Sequence, residues 1–221
     1  GSEMCIRDRY IDVLLPEGKR RAFSIASAPQ HEDEIELHIR HVEGGGFTGW
    51  VFDDLKERDI LRIEGPLGTF FIRHDTDERP MILMGGGTGF APLKSMIEDL
   101  QSHHDQRPLH LFWGVRDQNE LYMHEQALQW ACANPHVRYS TALSEPQGEQ
   151  PSNSFHGFVH EAVLDQYKDL SGYDIYMSGP PAMIDTARAA FLEHGADRRR
   201  IFFDSFEFGL DVPVRVLAKP H

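Results

Sequence analysis

Two glycine-bearing segments have the composition that phosphate chemistry needs. The first, Gly85-Gly86-Gly87-Thr88-Gly89, follows an apolar run and precedes Pro92, a residue suited to the first turn of a helix. A glycine loop between a strand and a helix lets backbone N–H groups approach a pyrophosphate, and the helix N-terminus adds a favourable dipole. A plain tight turn uses the same residues, and composition alone leaves both readings open. The second segment, Ser178-Gly179-Pro180-Pro181, follows a later apolar run and reads equally well as a rigid strand-to-helix turn. In a doubly wound sheet of strand order 3-2-1-4-5, the first and fourth strands flank the switch point. Both loops then face one crevice, which is a stronger argument than either loop alone. The spacing is not G-x-G-x-x-G, and no acidic residue closes the second strand. Trp113-Gly114-Val115-Arg116-Asp117 stands there instead, so the standard dehydrogenase fingerprint is absent.

These loops need a scaffold, and the chain changes rhythm to provide one. Up to Phe71 it reads as short strands: residues 10–15, 21–27, 35–42, 60–64 and 69–72, with turns at Pro16-Glu17-Gly18-Lys19 and Gly65-Pro66-Leu67-Gly68. Residues 35–42 alternate apolar and polar, which predicts one buried face. Thr48 is placed to cap a short helix carrying Val51, Phe52 and Leu55. Together these predict a small antiparallel barrel. The polar residues 74–80 read as a linker. Beyond them strands at 81–84, 109–113, 137–142, 174–177 and 201–203 alternate with helices at 92–100, 121–133, 161–167 and 182–193. Five strands with helices between them predict an open parallel sheet. The expected class is therefore β plus α/β, with one domain over residues 1–75 and another over 76–221. Residues 147–154 read as a surface loop.

Bulk composition excludes several functions. The chain has 221 residues and a formal net charge of -13, from 22 basic and 35 acidic side chains. That sign disfavours nucleic acid, while a small dinucleotide needs only a local patch of donors. No run of about 18 apolar residues is present, so no membrane span is expected. Two cysteines, Cys5 and Cys132, cannot hold a four-thiolate iron–sulfur cluster, and a reducing cytoplasm is the expected location. The 13 histidines are scattered, and His103-His104 after a helix end reads as a solvated cap, so no metal site is expected.

In order along the chain, Arg21-Ala22-Phe23-Ser24, Gly45-Gly46-Phe47-Thr48, Gly65-Pro66-Leu67-Gly68-Thr69-Phe70, Gly85 to Pro92 and Ser178-Gly179-Pro180-Pro181-Ala182-Met183 resemble the motifs of the ferredoxin–NADP reductase superfamily. The similarity points to the bacterial branch of flavin reductases and of reductase components for oxygenases and deoxysugar dehydratases. The resemblance implies FAD and NADH or NADPH as cofactors, with hydride passing from nicotinamide C4 to flavin N5. Arg21 would then pair with the flavin phosphate, Phe23 pack on the flavin, and Ser24 hydrogen-bond near N5. Gly45, Gly46, Phe47 and Thr48 would hold the flavin phosphates. Gly86, Gly87, Thr88, Gly89, Pro92, Gly179, Pro180 and Met183 would surround the dinucleotide. Ser178 occupies the place where many relatives have cysteine beside the nicotinamide, and it joins Ser24 as a candidate catalytic group. Arg116 would reach the adenosine ribose or its phosphate, and Phe206 and Glu207 would lie near the flavin. Taken singly, Arg21 is equally a strand-edge charge, Phe23 core, Thr48 a helix cap and Arg116 a solvated loop charge.

Three functions follow from this resemblance. One is an electron-transfer component that passes electrons to an acceptor protein, either an oxygenase, a dehydratase or a ferredoxin-type partner. Another is a reductase that treats flavin as a substrate. The third is a nucleotide-binding remnant with a broken flavin site. Relatives carry further barrel strands ahead of Tyr10, so the barrel is expected to be truncated and residues 3–9 to be non-native. Weak or absent flavin retention, with homodimerisation as a repair, is the corresponding expectation. NADH and NADPH stay open, although a lone Arg116 without a basic cluster favours NADH.

Overall fold

The computed structural model describes residues 10–31, 33–74, 78–148, 151 and 154–206. The first half holds an antiparallel sheet built from β1 (Tyr10–Leu14), β2 (Arg20–Ser24) and β3 (Arg62–Leu67), in the order β2-β1-β3. The predicted turn at Pro16 is a single 3-10 turn that returns the chain from β1 to β2, pairing Ile11 with Phe23 and Tyr10 with Ser24. Helix α1 (Gly46–Asp53) packs Phe47 against Ile11, Val13 and Ile25.

Three expectations for this half are corrected. The strand expected at 60–64 instead runs through Gly65 and Pro66 to Leu67. Pro66 donates no hydrogen bond, and it is tolerated because β3 is an edge strand. Residues 69–72 form no strand. Their apolar side chains are drawn elsewhere: Phe70 and Ile72 bury against Met81, Leu83 and Tyr176 of the other half. Residues 35–42 make only one isolated bridge, Leu37 to Ile25. Leu37 and Ile39 do pack on the core of the first half, but the polar residues alternating with them are not left to solvent alone. Glu36, His38 and Arg40 bond to Lys94, Tyr122 and Glu120 of the second half. Both faces of the segment are therefore used, and a regular ladder is not needed to hold it.

The second half is a parallel sheet with helices on both faces. Its strands are β4 (Met81–Gly86), β5 (Leu109–Val115), β6 (Val137–Leu143), β7 (Phe155–His156), β8 (Asp174–Gly179) and β9 (Ile201–Ser205). The order is β7-β6-β5-β4-β8-β9, so six strands stand where five were expected. The core order 3-2-1-4-5 is as predicted, and β7 is an added edge. It has only two residues, paired with Ala142 and Leu143, too few to show a periodicity. The helices are α2 (Phe90–Ser102), α3 (His124–Ala133), α4 (Val159–Gln166) and α5 (Pro181–Glu193). Helix α3 starts later than expected because Gln118–Glu120 forms a separate 3-10 turn first.

Strands β4 and β8 are buried at every position, which is why β4 reads as an apolar run and β8 as one between Asp174 and Ser178. One core lies against α2 and α3, around Phe90, Trp113 and Trp130. The other lies against α4 and α5, around Phe112, Val163 and Phe191. Each fully buried aromatic or leucine here contributes roughly 1.5–3 kcal/mol by leaving water.

Candidate functional site

The loop after β4 is short because it must be. At Gly89 an added Cβ would stand 2.1 Å from the Ser178 carbonyl oxygen, so the loop lies directly against the backbone of β8. At Gly86 it would stand 2.5 Å from the Met183 sulfur, on the flexible end of a side chain. This contact brings the two glycine segments to one crevice, as the strand order requires. Neither α2 nor α5 has a side-chain cap at its N-terminus. Their first-turn N–H groups therefore remain suited to an anion. Beneath the loop, the Trp113 indole donates to the Gly87 carbonyl at 2.9 Å and stacks on Phe90 at 4.0 Å. The Ser178 hydroxyl is fully buried and has no hydrogen-bond partner among the described residues.

A cavity of about 570 Å³ opens at the carboxyl ends of β4, β5 and β6. Gly86, Gly87, Arg116, Pro180 and Met183 line it, joined by Arg40 from the first half. A second cavity, of about 380 Å³, lies between the halves. Arg21, Phe23, Ser24, Phe47, Thr48 and Phe206 line it, and Thr88 enters its wall from the β4–α2 loop. Most predicted residues thus gather around two adjoining spaces, while Gly45, Gly46, Gly89, Ser178 and Gly179 line neither.

Several predicted residues sit differently from the expectation. Pro92 lines neither of these cavities but a smaller one of about 280 Å³ beside Ser24. Thr88 faces the space between the halves and not the larger cavity. Thr48 does not cap α1, whose N-cap is Gly45. Its hydroxyl ties the loop shut instead, accepting from the Val42 N–H at 3.2 Å and lying 3.1 Å from the Val42 carbonyl. Gly45 and Gly46 stand at the N-cap and first position of that helix. Gly179 ends β8, and its carbonyl accepts from the Phe206 N–H at 3.2 Å. Glu207, residues 3–9 and Cys5 lie outside the described residues.

The sequence reading missed four residues that the site contains. Asp204, on β9, accepts a hydrogen bond from the Ser24 hydroxyl at 2.9 Å. Burial raises its pKa, although the Ser24 hydrogen bond pulls the other way. Asp204 stands on the outermost strand, next to β8, and nothing in the sequence pairs it with Ser24. His38 bonds to Tyr122 Oη at 2.7 Å and to Glu36 Oε1 at 2.9 Å. Burial pushes its pKa down, against the carboxylate beside it. A neutral ring satisfies both contacts, accepting from the tyrosine and donating to the carboxylate. Arg40 and Arg116 both reach Glu120. The spacing of Arg116 and Glu120, four residues apart, was visible but carried no helical context.

Lys94, on α2, is a further tie between the halves. It is only 6% exposed and bonds to Glu36 at 2.8 Å, Glu98 at 3.0 Å and the Ala26 carbonyl at 3.3 Å. Burial opposes its charge, but hydrogen bonds to Glu36 and Glu98 outweigh that and raise its pKa. The Ser95 hydroxyl adds a bond to the Ser27 carbonyl at 2.9 Å.

Comparison with known proteins bears on both cavities. Residues 8–72 match the oxidoreductase FAD-binding domain, and residues 83–189 match the oxidoreductase NAD-binding domain. An NAD(P)H-flavin reductase from Aliivibrio fischeri is 36% identical over 207 residues, which cover 90% of this chain and 86% of that protein. The chain belongs to the ferredoxin–NADP reductase superfamily. Within that superfamily it is also 42% identical over 198 residues to the CDP-6-deoxy-L-threo-D-glycero-4-hexulose-3-dehydrase reductase of Yersinia pestis. That match covers 90% of this chain but 58% of the Yersinia protein. The solved Amycolatopsis cytochrome P450 reductase GcoB has a TM-score of 0.84 at 32% identity, covering 90% of this chain and 60% of that one.

FAD and a nicotinamide dinucleotide are thus the superfamily's cofactors, and the residues present fit them. Thr88 is the one side chain of the Gly87-Thr88-Gly89 turn, and it lines the space between the halves, while Gly86 and Gly87 line the larger cavity with backbone alone. Arg21 supplies a planar cation suited to a phosphate, and Phe23 an apolar face. No helix of the described residues is long and apolar enough to cross a membrane.

Proposed function

We propose that this chain is the flavin- and dinucleotide-binding part of an NAD(P)H-dependent oxidoreductase that delivers electrons to an acceptor protein. Residues 1–75 serve the flavin and residues 76–221 the dinucleotide. The observation that carries the reading is the adjacency of the two cavities. Thr88 of the dinucleotide loop stands in the wall of the space that holds Ser24 and Asp204. When bound, the flavin and nicotinamide supply the redox chemistry, and the chain supplies orientation, exclusion of water and proton control.

Each role is assigned to a particular group. Arg21 and the loop from Gly45 to Thr48 bind flavin phosphate, while Phe23 and Phe206 flank the ring. Ser24 holds a hydrogen bond toward the flavin and passes its proton contact to Asp204. Burial raises the pKa of Asp204 above the ordinary carboxylate value, which favours holding a proton at that carboxyl beside Ser24. The buried Ser178 hydroxyl, unpartnered in the fold, takes a polar contact from the nicotinamide side. Gly86, Gly87 and Gly89 admit the pyrophosphate, with Gly179, Pro180 and Met183 as the opposite wall.

The acceptor we infer is an oxygenase or dehydratase component, on the strength of the Yersinia and Amycolatopsis relatives. We place the protein in the cytoplasm. The exposed Ile60, Leu61 and Ile63 around the β3 edge support self-association into a homodimer. A second reading, reduction of free flavin, rests on the Aliivibrio relative, whose length this chain nearly spans.

The test is direct. Purified chain is examined for visible flavin absorption, then supplied with FAD and NADH or NADPH while ferricyanide reduction is followed. Retained flavin with turnover supports the electron-transfer role. Turnover that needs a continuous supply of flavin, released in reduced form, supports the second reading. No turnover at saturating FAD and dinucleotide would exclude both.

A further inference from the structure

Dinucleotide enzymes commonly sort their cofactors at the carboxyl end of the second strand. An acid there binds the free ribose 2′-hydroxyl of NAD, whereas an arginine accommodates the 2′-phosphate of NADP. In this chain the strand end carries Arg116, the first residue after β5, and the acid next to it in sequence, Asp117, is taken up by the Asn119 and Gln147 N–H groups, at 3.0 Å each, so an acid for Arg116 must come from elsewhere. The fold supplies one. The 3-10 turn over Gln118–Glu120 folds Glu120 back, so that Oε1 accepts from Arg116 Nη2 at 2.8 Å and Nε at 3.2 Å. The same oxygen accepts from Arg40 Nη2 at 2.8 Å, arriving from the other half. All three side chains line the larger cavity.

One carboxylate oxygen thus occupies the position between two guanidinium groups that an added phosphate would take. A 2′-phosphate carries close to two negative charges and needs these same donors. To enter, it must displace Glu120 from both arginines and then lie beside its charge. An unphosphorylated ribose does neither. We propose that Glu120 is a specificity-determining residue that stands in for the 2′-phosphate and so selects NADH over NADPH.

This assignment rests on the dinucleotide reading above, and one experiment separates the two. NAD+ and NADP+ are titrated calorimetrically into the full chain and into Glu120→Gln, whose side chain keeps its size but loses its charge. The unsubstituted chain is expected to prefer NAD+. In the variant the ratio of the two affinities should move toward NADP+ on the order of tenfold, the scale of one charge contact at a partly exposed site. Arg116→Gln should move the ratio the opposite way, which guards against a general loss of folding in either variant. If both dinucleotides bind and the ratio is the same in all three chains, the Glu120 assignment is wrong and the dinucleotide reading survives. If neither binds the unsubstituted chain, both are overturned.

Discussion

Ser24 and Asp204 form the pair on which the proposed chemistry turns. They lie 180 residues apart in sequence and 2.9 Å apart in space, one on β2 and one on β9. Replacing Ser24 with Ala removes the donor and leaves Asp204 buried with less reason to ionise, so the acid's pKa should rise further. The expected result is a fall in kcat for ferricyanide reduction on the order of tenfold to a hundredfold, with the pH profile displaced upward. A variant with the parent's kcat and profile would remove Ser24 from the mechanism. Ser24 was legible because it sits inside a short motif with an arginine and an aromatic. Asp204 was not, because its partner is fixed only when the last strand joins the edge of the parallel sheet.

At the scale of elements, the junction of β4, its loop and α2 was the most legible part of the chain. An unbroken apolar run, a glycine cluster and an early proline all give the same answer there. Substitution should show how tightly that junction is built. Gly89→Ala places a methyl group against the backbone of β8, which cannot yield, and is expected to cost about 2–3 kcal/mol in chemical denaturation. Gly86→Ala meets the mobile end of Met183 and should cost about half as much, or less. Equal costs would mean that the loop is not pinned on Ser178 as described. Residues 35–42 were the least legible element. Their alternation correctly reported an apolar side at Leu37 and Ile39. It could not report that Glu36, His38 and Arg40 are held by Lys94, Tyr122 and Glu120, because sequence periodicity separates apolar from polar, not solvent from partner. The edge strand β7 was invisible for a simpler reason, since two residues have no period.

The molecule as a whole carries a pH sensitivity away from its candidate site. His110 is 2% exposed in β5, bonded to Tyr167 Oη at 2.8 Å and Ser140 Oγ at 2.9 Å. Burial, with a smaller contribution from Arg138, lowers its pKa to about 3. A histidine depressed in the folded state binds protons more readily when unfolded. Its contribution to stability is therefore complete above about pH 6.5 and is lost as the pH falls toward 3. Between pH 7.5 and pH 5 the expected loss is about 2 kcal/mol. Urea denaturation of the parent and of His110→Gln at both pH values isolates this part, and the variant should show the smaller difference. Identical differences would place the acid sensitivity elsewhere.

The indole of Trp113 gives the molecule one more property. It is buried under the β4–α2 loop, hydrogen-bonded to that loop's own carbonyl and stacked on the first residue of α2. Indole fluorescence depends on its hydrogen bond and on the ring packed against it. Any ligand that shifts the Gly87 backbone therefore alters the emission of a chromophore already in place, and the protein carries an optical sensor of its own β4–α2 loop.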